Sequence, residues 1–399
     1  VDSSEPTDDA AIARERTSLG ELALLFLRLG TTAFGGPAAH IAMLREEVVV
    51  ARRWMTEERF LDLLGATSLI PGPNSTEMAI HVGFERRGLP GLLVAGLCFI
   101  LPAMAITWAC AAAYVTYGAL PQLGALFYGI KPVILAIVLK AIVGLAPKAA
   151  RTTPLRFGGV LLLALALFGF DELALLFGSG LGCAIAFGRR PAPPTVPPPS
   201  APACDAPPPP AKQWIPILGG AAAGSAISAS SIFWVFLKIG SVLFGSGYVL
   251  LAFLRADLVE QRGWLTEGQL LDAIAVGQVT PGPVFTTATF VGYLLAGNAG
   301  AAAATLGIFL PAFVFVALSG PLVPRIRGNP TAGAFLDGVN IASLALMASV
   351  TIELGAAAVI DVPTLVLAIG AAVLAIRFSI GSTWLLALGG LVGGVAYLA

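Results

Sequence analysis

Apolar runs broken by Gly- and Pro-containing punctuation dominate the chain. Leu19 to Phe34 is apolar and stops at Gly35-Gly36-Pro37; an amphipathic run then continues through Arg45. Phe60 to Ile70 is apolar again, stops at Pro71-Gly72-Pro73, and resumes from Asn74 to Phe84. Each piece is about 10–15 residues, short of the roughly 20 a spanning helix needs. Gly and Pro are tolerated at membrane depth where the freed backbone lines a cavity. The pattern therefore predicts two re-entrant helical hairpins; two kinked but complete helices are the other reading. Longer runs follow from Leu89 to Tyr117 and from Pro121 to Pro147. A shorter pair, Phe157 to Phe170 and Leu173 to Phe187, turns at Asp171-Glu172.

This pattern occurs twice. FLRLGTTAFGG from Phe26 returns as FLKIGSVLFGS from Phe236, and WMTEERFLD from Trp54 as WLTEGQLLD from Trp264. The IPGP run at Ile70 returns as TPGP at Thr280, and Leu101-Pro102-Ala103 as Leu310-Pro311-Ala312. The order holds throughout, with a one-residue slip after Pro-Gly-Pro. A Pro-dominated stretch separates the copies and reads as an extended, solvated tether. The expected organisation is a polar N-terminal segment (1–17), a first repeat (18–189), a Pro-rich cytoplasmic linker (190–212) and a second repeat (213–399). The acidic start, with Asp2, Glu5, Asp8 and Asp9, lacks the order of a signal peptide.

Composition fixes the solvent. Hydrophobic residues make up 57% and charged residues 12%, about half the charge of a typical soluble domain. A bilayer tolerates this composition, and the net charge of zero gives nucleic acid no handle. The charge pattern also sets topology. If the hairpins return to the side they came from, Arg86-Arg87, Lys148, Arg151, Arg156 and Arg189-Arg190 share one face, the cytoplasmic one by the positive-inside rule. In the second half Arg325, Arg327 and Arg377 sit one helix out of phase, so that half is expected to be inverted. Inversion needs one more crossing, for which Trp214 to Ile232 is the available segment. The predicted fold class is an all-α polytopic membrane protein, an inverted repeat of two hairpin-bearing halves with the substrate at their interface.

Three groups of residues carry candidate chemistry. Asn74, Ser75 and Thr76, with Thr286 and Thr287 in the second copy, start new helices after the Pro-Gly-Pro breaks. A helix start offers unpaired N–H groups and partial positive charge, an anion site. Gly35, Gly36, Gly72, Gly245 and Gly282 lie in the breaks themselves. The bland alternative makes Asn74 a helix cap in a capping box with Glu77. Arg28 and Lys238 occupy one repeat position in apolar surroundings, as anion ligands or as snorkelling cations. Lys131 and Lys140 are the next basic candidates. The titratable groups His40, Glu77, His81, Asp337 and Glu353 are coupling candidates, since proton relays use embedded groups of this kind. Arg45 with Arg255, and Asp62 with Asp272, recur near the hairpin bases as expected clamps. No CxxC spacing and only two histidines argue against a structural metal. No cofactor is expected, and the absence of a Walker-type Gly-rich loop leaves an ion gradient or the membrane potential as the energy source.

The FGGP, Trp-x-Thr-Glu and IPGP runs, with their second copies, resemble the chromate ion transporter family over nearly all of the chain outside the N-terminus and tether. The resemblance implies a non-enzymatic bacterial inner-membrane transporter that exports chromate and confers chromate resistance, with two halves of opposite orientation. It also points to the paired breaks and to Arg28 and Lys238. Sulfate is a tetrahedral dianion too, so a sulfate transporter or an anion channel is the alternative, and a homodimer is compatible with either.

Inverted halves put position 87 on the cytoplasmic face and position 262 outside. Single cysteines there should label from opposite sides of the membrane; equal labelling of both from the cytoplasm would rule the inversion out.

Overall fold

A computed structural model describes residues 17–34, 36–67, 69–118, 120–188, 227–244, 247–327, 329–378 and 380–398, and among them it contains no strand. The tether, the expected site residues Gly35 and Gly245, and most of the proposed crossing from Trp214 lie outside these residues.

The first half consists of α1 (Leu19–Thr32), α2 (Pro37–Arg45), α3 (Glu57–Thr67), α4 (Asn74–Tyr117), α5 (Pro121–Ala149), α6 (Thr153–Leu167) and α7 (Glu172–Phe187). The second consists of α8 (Ala229–Val242), α9 (Leu250–Leu254), α10 (Glu267–Val279), α11 (Thr287–Arg327), α12 (Pro330–Ala358), α13 (Val362–Arg377) and α14 (Ser382–Leu398). Local signals start these helices at matching places. The hydroxyl of Ser18 accepts from Glu21 N, and that of Ser228 from Ser231 N, each capping the first helix of its half. Thr56 and Thr266 do the same for α3 and α10.

In the first half the short helices on either side of each break run antiparallel. Arg52 reaches back from the end of α2's extension to Glu21 at the start of α1 (2.9 Å). Arg59 at the start of α3 pairs with Glu85, eleven residues into α4. Both ion pairs lie at the ends remote from the breaks. A further reversal interrupts α4 at Arg87-Gly88, with Gly88 at φ 61°, and α11 at Ala296-Gly297, with Gly297 at φ 58°. Glycine is needed there because other residues rarely adopt positive φ. The reversal folds α4 on itself, so a Cβ at Gly83 would strike the Gly91 carbonyl; Gly292 and Gly300 repeat this in α11.

Among the described residues four helices are long and apolar enough to cross a membrane, one run each in α4, α5, α11 with its preceding turn, and α12. Leu93, Leu97 and Leu101 on α4 form an exposed ridge at four-residue spacing, and Leu306, Leu310, Val314 and Leu318 form its counterpart on α11. Ridges of this kind require an apolar solvent.

The halves also exchange their ends. Gly129 on α5 touches Gly389 and Gly393 on α14, while Gly338 on α12 touches Ser179 and Gly180 on α7. Each half's second long helix thus packs on the other half's last helix, through glycines that let the backbones meet. The prediction is sharp because spared glycines are available as controls. Gly129→Ala should lower stability by about 1–3 kcal/mol through overpacking. Gly144→Ala, whose Cβ meets open space, should be neutral or stabilising by up to about 1 kcal/mol. Thermal unfolding in detergent measures both, and equal effects would show that the α5–α14 contact is not close.

Candidate functional site

Four chain breaks meet at one place. The N–H of Gly72 donates to the carbonyl of Leu243 at 2.8 Å, and that of Gly282 to the carbonyl of Ala33 at 2.8 Å. Ala33 and Leu243 are the residues on which α1 and α8 end. Each Pro-Gly-Pro tip is therefore bonded to the first break of the opposite half, and the two bonds are equivalent under exchange of the halves. The flanking prolines have no N–H to donate, so the single glycine donor of each tip makes the link. Only glycine fits: φ is 142° at Gly72 and 87° at Gly282. A Cβ at Gly72 would collide with the Glu77 carboxylate, and one at Gly282 would press on Ala103. Gly36, at φ 82°, borders the same region beside the Tyr248 hydroxyl.

Side chains extend this junction unequally. His40 Nε2 lies 3.1 Å from the Ala33 carbonyl, which can only accept, so Nε2 carries a proton. His40 Nδ1 faces the Ser75 hydroxyl at 3.4 Å. Ala33 thus ties the second half's tip, through His40, to the second residue of α4. On the other side, the Thr107 hydroxyl from α4 lies 3.4 Å from that of Thr280 and 3.3 Å from that of Thr286. All three are buried. In the first half Ile70 and Val316 stand at the places of Thr280 and Thr107 and cluster with Ile80 and Ala312, while Thr76 and Glu77 stand at the place of Thr286. Thr287 turns its hydroxyl to the Val284 carbonyl, at 2.8 Å.

The capping alternative for Asn74 fails. Pro73 is the residue that precedes α4, no side chain caps the helix, and the N–H of Glu77 bonds to the Pro73 carbonyl. Glu77 is left fully enclosed, with neither oxygen bonded, and the buried Thr76 hydroxyl is also unpaired.

Arg28 and Lys238, expected as anion ligands or snorkelling cations, each have an acidic partner. Arg28 pairs with Glu47, and Lys238 Nζ lies 2.9 Å from Asp257. Both carboxylates stand nineteen residues beyond their cation, one arm across the break, and this spacing recurs in the two copies of the sequence. Asp337 and Glu353 are likewise not isolated: Asp337 pairs with Arg151 and Glu353 with Arg255, because each lies on α12 opposite a basic connection. The clamp reading of Arg45 and Arg255 holds. Arg45 Nε donates to Glu57 at 2.7 Å and Arg255 Nε to Glu267 at 2.9 Å. These contacts account for the duplicated Trp-x-Thr-Glu. Its Glu clamps the preceding arm, its Thr caps the next helix, and its Trp lies under a guanidinium, Arg52 over Trp54 and Arg262 over Trp264. Asp272 instead faces Lys131 at 3.0 Å and accepts from the Tyr114 hydroxyl at 2.8 Å, joining α10 to the first half. Lys140 donates to the Ile380 carbonyl at 3.0 Å. His81 is buried one turn beyond Glu77 with Nε2 unbonded.

Comparison with known proteins agrees with the duplicated layout. A sequence profile described as chromate transporter matches residues 20–186 and again residues 230–394. The chain is 32% identical over its whole length to the chromate transport protein of Cupriavidus metallidurans, covering 99% of that protein. It is 33% identical to the chromate transport protein of Pseudomonas aeruginosa, over 87% of this chain and 84% of the relative. The probable chromate transport protein of Synechococcus elongatus is 29% identical over 87% of each chain. No solved structure matches. With both halves matched in order, and with long apolar helices exposing leucine ridges, the chain is a membrane protein that belongs to the chromate transporter family.

Proposed function

We propose that the protein is a secondary transporter that exports chromate across the bacterial inner membrane and holds the ion at the junction of the four breaks. The observation that carries this reading is the reciprocal bonding of Gly72 to Leu243 and Gly282 to Ala33. It brings the starts of α4 and of the Val284–Thr286 turn leading into α11 to one place between the halves. Both starts supply N–H groups without helical acceptors and a positive end of a helix dipole. Asn74, Ser75 and Thr76 line one side; Thr286 with Thr107 and Thr280 lines the other. Thr107 and Thr280 are additions that an isolated threonine in an apolar run does not announce. The Thr107 contacts are long for hydroxyl pairs, so the Thr107 hydroxyl can turn onto an oxyanion at little cost; Thr286 also donates to the Pro283 carbonyl at 2.8 Å and would meet the oxyanion through its backbone or by exchanging that bond. Chromate, for whose transport the relatives are named, is the substrate of first choice.

In this reading the antiparallel arms are re-entrant hairpins whose breaks sit near mid-membrane, and the halves are inverted. Alternating access then rocks one half against the other around the fixed junction. Arg28–Glu47 and Lys238–Asp257 brace the arms rather than ligate the ion. The Arg28 side chain is 53% exposed, which suits a brace at the rim.

The two roles separate in binding assays on purified protein. Thr107→Val and Thr286→Val should each weaken chromate binding by about 2- to 12-fold, the value of a neutral hydrogen bond of roughly 0.5–1.5 kcal/mol. The paired variant Arg28→Gln/Glu47→Gln should keep wild-type affinity while lowering thermal stability. Sulfate should compete if tetrahedral geometry is what is read. Unchanged affinity in both threonine variants, with a large loss in the Arg28 variant, would move the ion to the braces.

A further inference from the structure

Three carboxylates are buried below one-tenth exposure among the described residues: Glu77, Asp257 and Asp272. Asp257 faces Lys238, and Asp272 faces Lys131 and Tyr114. Glu77 is 0% exposed, and neither oxygen has a hydrogen bond or an ion partner. It sits one turn into α4, against the backbone of the Gly72 tip and near Ala312 of the other half. At the matching place of the second half stands a threonine, Thr286 or Thr287 on either side of the one-residue slip. The carboxyl is therefore specific to the first half and serves neither packing symmetry nor an ion pair.

The groups around it carry no compensating charge into contact. α2 contributes His40, which is turned to Ala33 and Ser75. α3 contributes Arg59, paired with Glu85, and Asp62. α1, packed on α4, contributes Glu21 and Arg28, paired with Arg52 and Glu47. The rest of α4 contributes His81 one turn on, Glu85, Arg86 and Arg87 at its reversal, Cys98, Cys110, Tyr114 and Tyr117. The α8–α9 break contributes Tyr248, and α11 from Thr287 to Ser319 carries no charged residue.

Building on the chromate reading of the junction, we propose that Glu77 is the coupling site, binding a proton whenever the dianion binds, so that proton and oxyanion cross together. An ionised Glu77 and a dianion at the start of the same helix repel each other in a poorly screened site. Protonated, the carboxyl loses that repulsion and gains an O–H that can donate to the oxyanion. The step moves one proton from a buffer acid in the solvent to one Glu77 oxygen, leaving the buffer base in solution, with no bond made to chromium and no change of oxidation state. Thermodynamic linkage makes it reciprocal: chromate raises the proton affinity of Glu77, and the proton raises the chromate affinity. A dianion carrying one proton is still net negative, so an inside-negative potential still drives it outward.

The test is calorimetric titration of the purified, full-length protein with chromate. It is run above neutral pH, where chromate is already the dianion, in buffers of different ionisation enthalpy. Expected for the wild type is uptake of one proton per chromate and an affinity that falls about tenfold per pH unit once free Glu77 is ionised. Glu77→Gln, neutral at every pH, should bind with the low-pH affinity of the wild type, independent of pH and with no proton uptake. His81→Gln should keep the proton uptake. Binding without proton uptake in the wild type overturns the proposal and leaves the junction standing. Proton uptake that survives Glu77→Gln but disappears in a histidine variant overturns it in favour of that histidine. No chromate binding at any pH overturns the junction reading as well. The wild-type proton count needs no variant, so a misfolded Glu77→Gln leaves the proposal exposed to failure.

Discussion

A backbone break inside an apolar protein leaves N–H and C=O groups without water, and the rest of this structure follows from how those groups are satisfied. Each half has two breaks, and neither half satisfies them alone. Gly72 donates across to Leu243 and Gly282 across to Ala33. The halves must therefore pack tip to tip. That packing places Gly72 beside Ala312 and Gly282 beside Ala103, and it brings the starts of α4 and the turn before α11 together. The exchange of terminal helices, α14 onto α5 and α7 onto α12, holds the same arrangement from the outside.

Symmetry of the backbone coexists with asymmetry of the side chains. The tip bonds, the glycine contacts and the arginine–glutamate clamps come in pairs. The lining does not: His40, Ser75 and Glu77 belong to the first half, whereas Thr280 and Thr286 belong to the second and meet Thr107 from the first. A duplicated scaffold can supply two equivalent helix starts while each copy drifts to a separate chemical task. On the reading given above, one side contributes hydroxyls and the other a titratable carboxyl.

Much of this was legible in the sequence because Gly and Pro act locally. α1 ends at Thr32 and α2 begins at Pro37, and the helix after the second break begins at Asn74, as the punctuation indicated. What local signals could not give was partnership. Arg28 and Lys238 read as anion ligands or snorkelling cations because their carboxylates lie across a break, and only folding of the arms brings them together. Asp337 and Glu353 read as embedded groups for the same reason, their arginines coming from distant connections. Asn74 looked like a cap from residue type alone, yet Pro73 precedes the helix and no side chain closes it. Thr107 carried no signal, since a single threonine in an apolar helix usually bonds its own backbone. The exchange of terminal helices was invisible because the glycines at the contacts, Gly129 with Gly389 and Gly338 with Gly180, are unremarkable among 46.

The location of the ion is the most direct measurement. Crystals grown with chromate and measured at the chromium absorption edge give the position of the metal centre without reference to any substituted residue. A single anomalous peak between the Pro71-Gly72-Pro73 and Pro281-Gly282-Pro283 tips, within hydrogen-bonding reach of the start of α4 and of Thr107 or Thr286, is the expected result. A peak beside Arg28 and Lys238, or on the α12 face with the tips empty, would contradict a shared junction site.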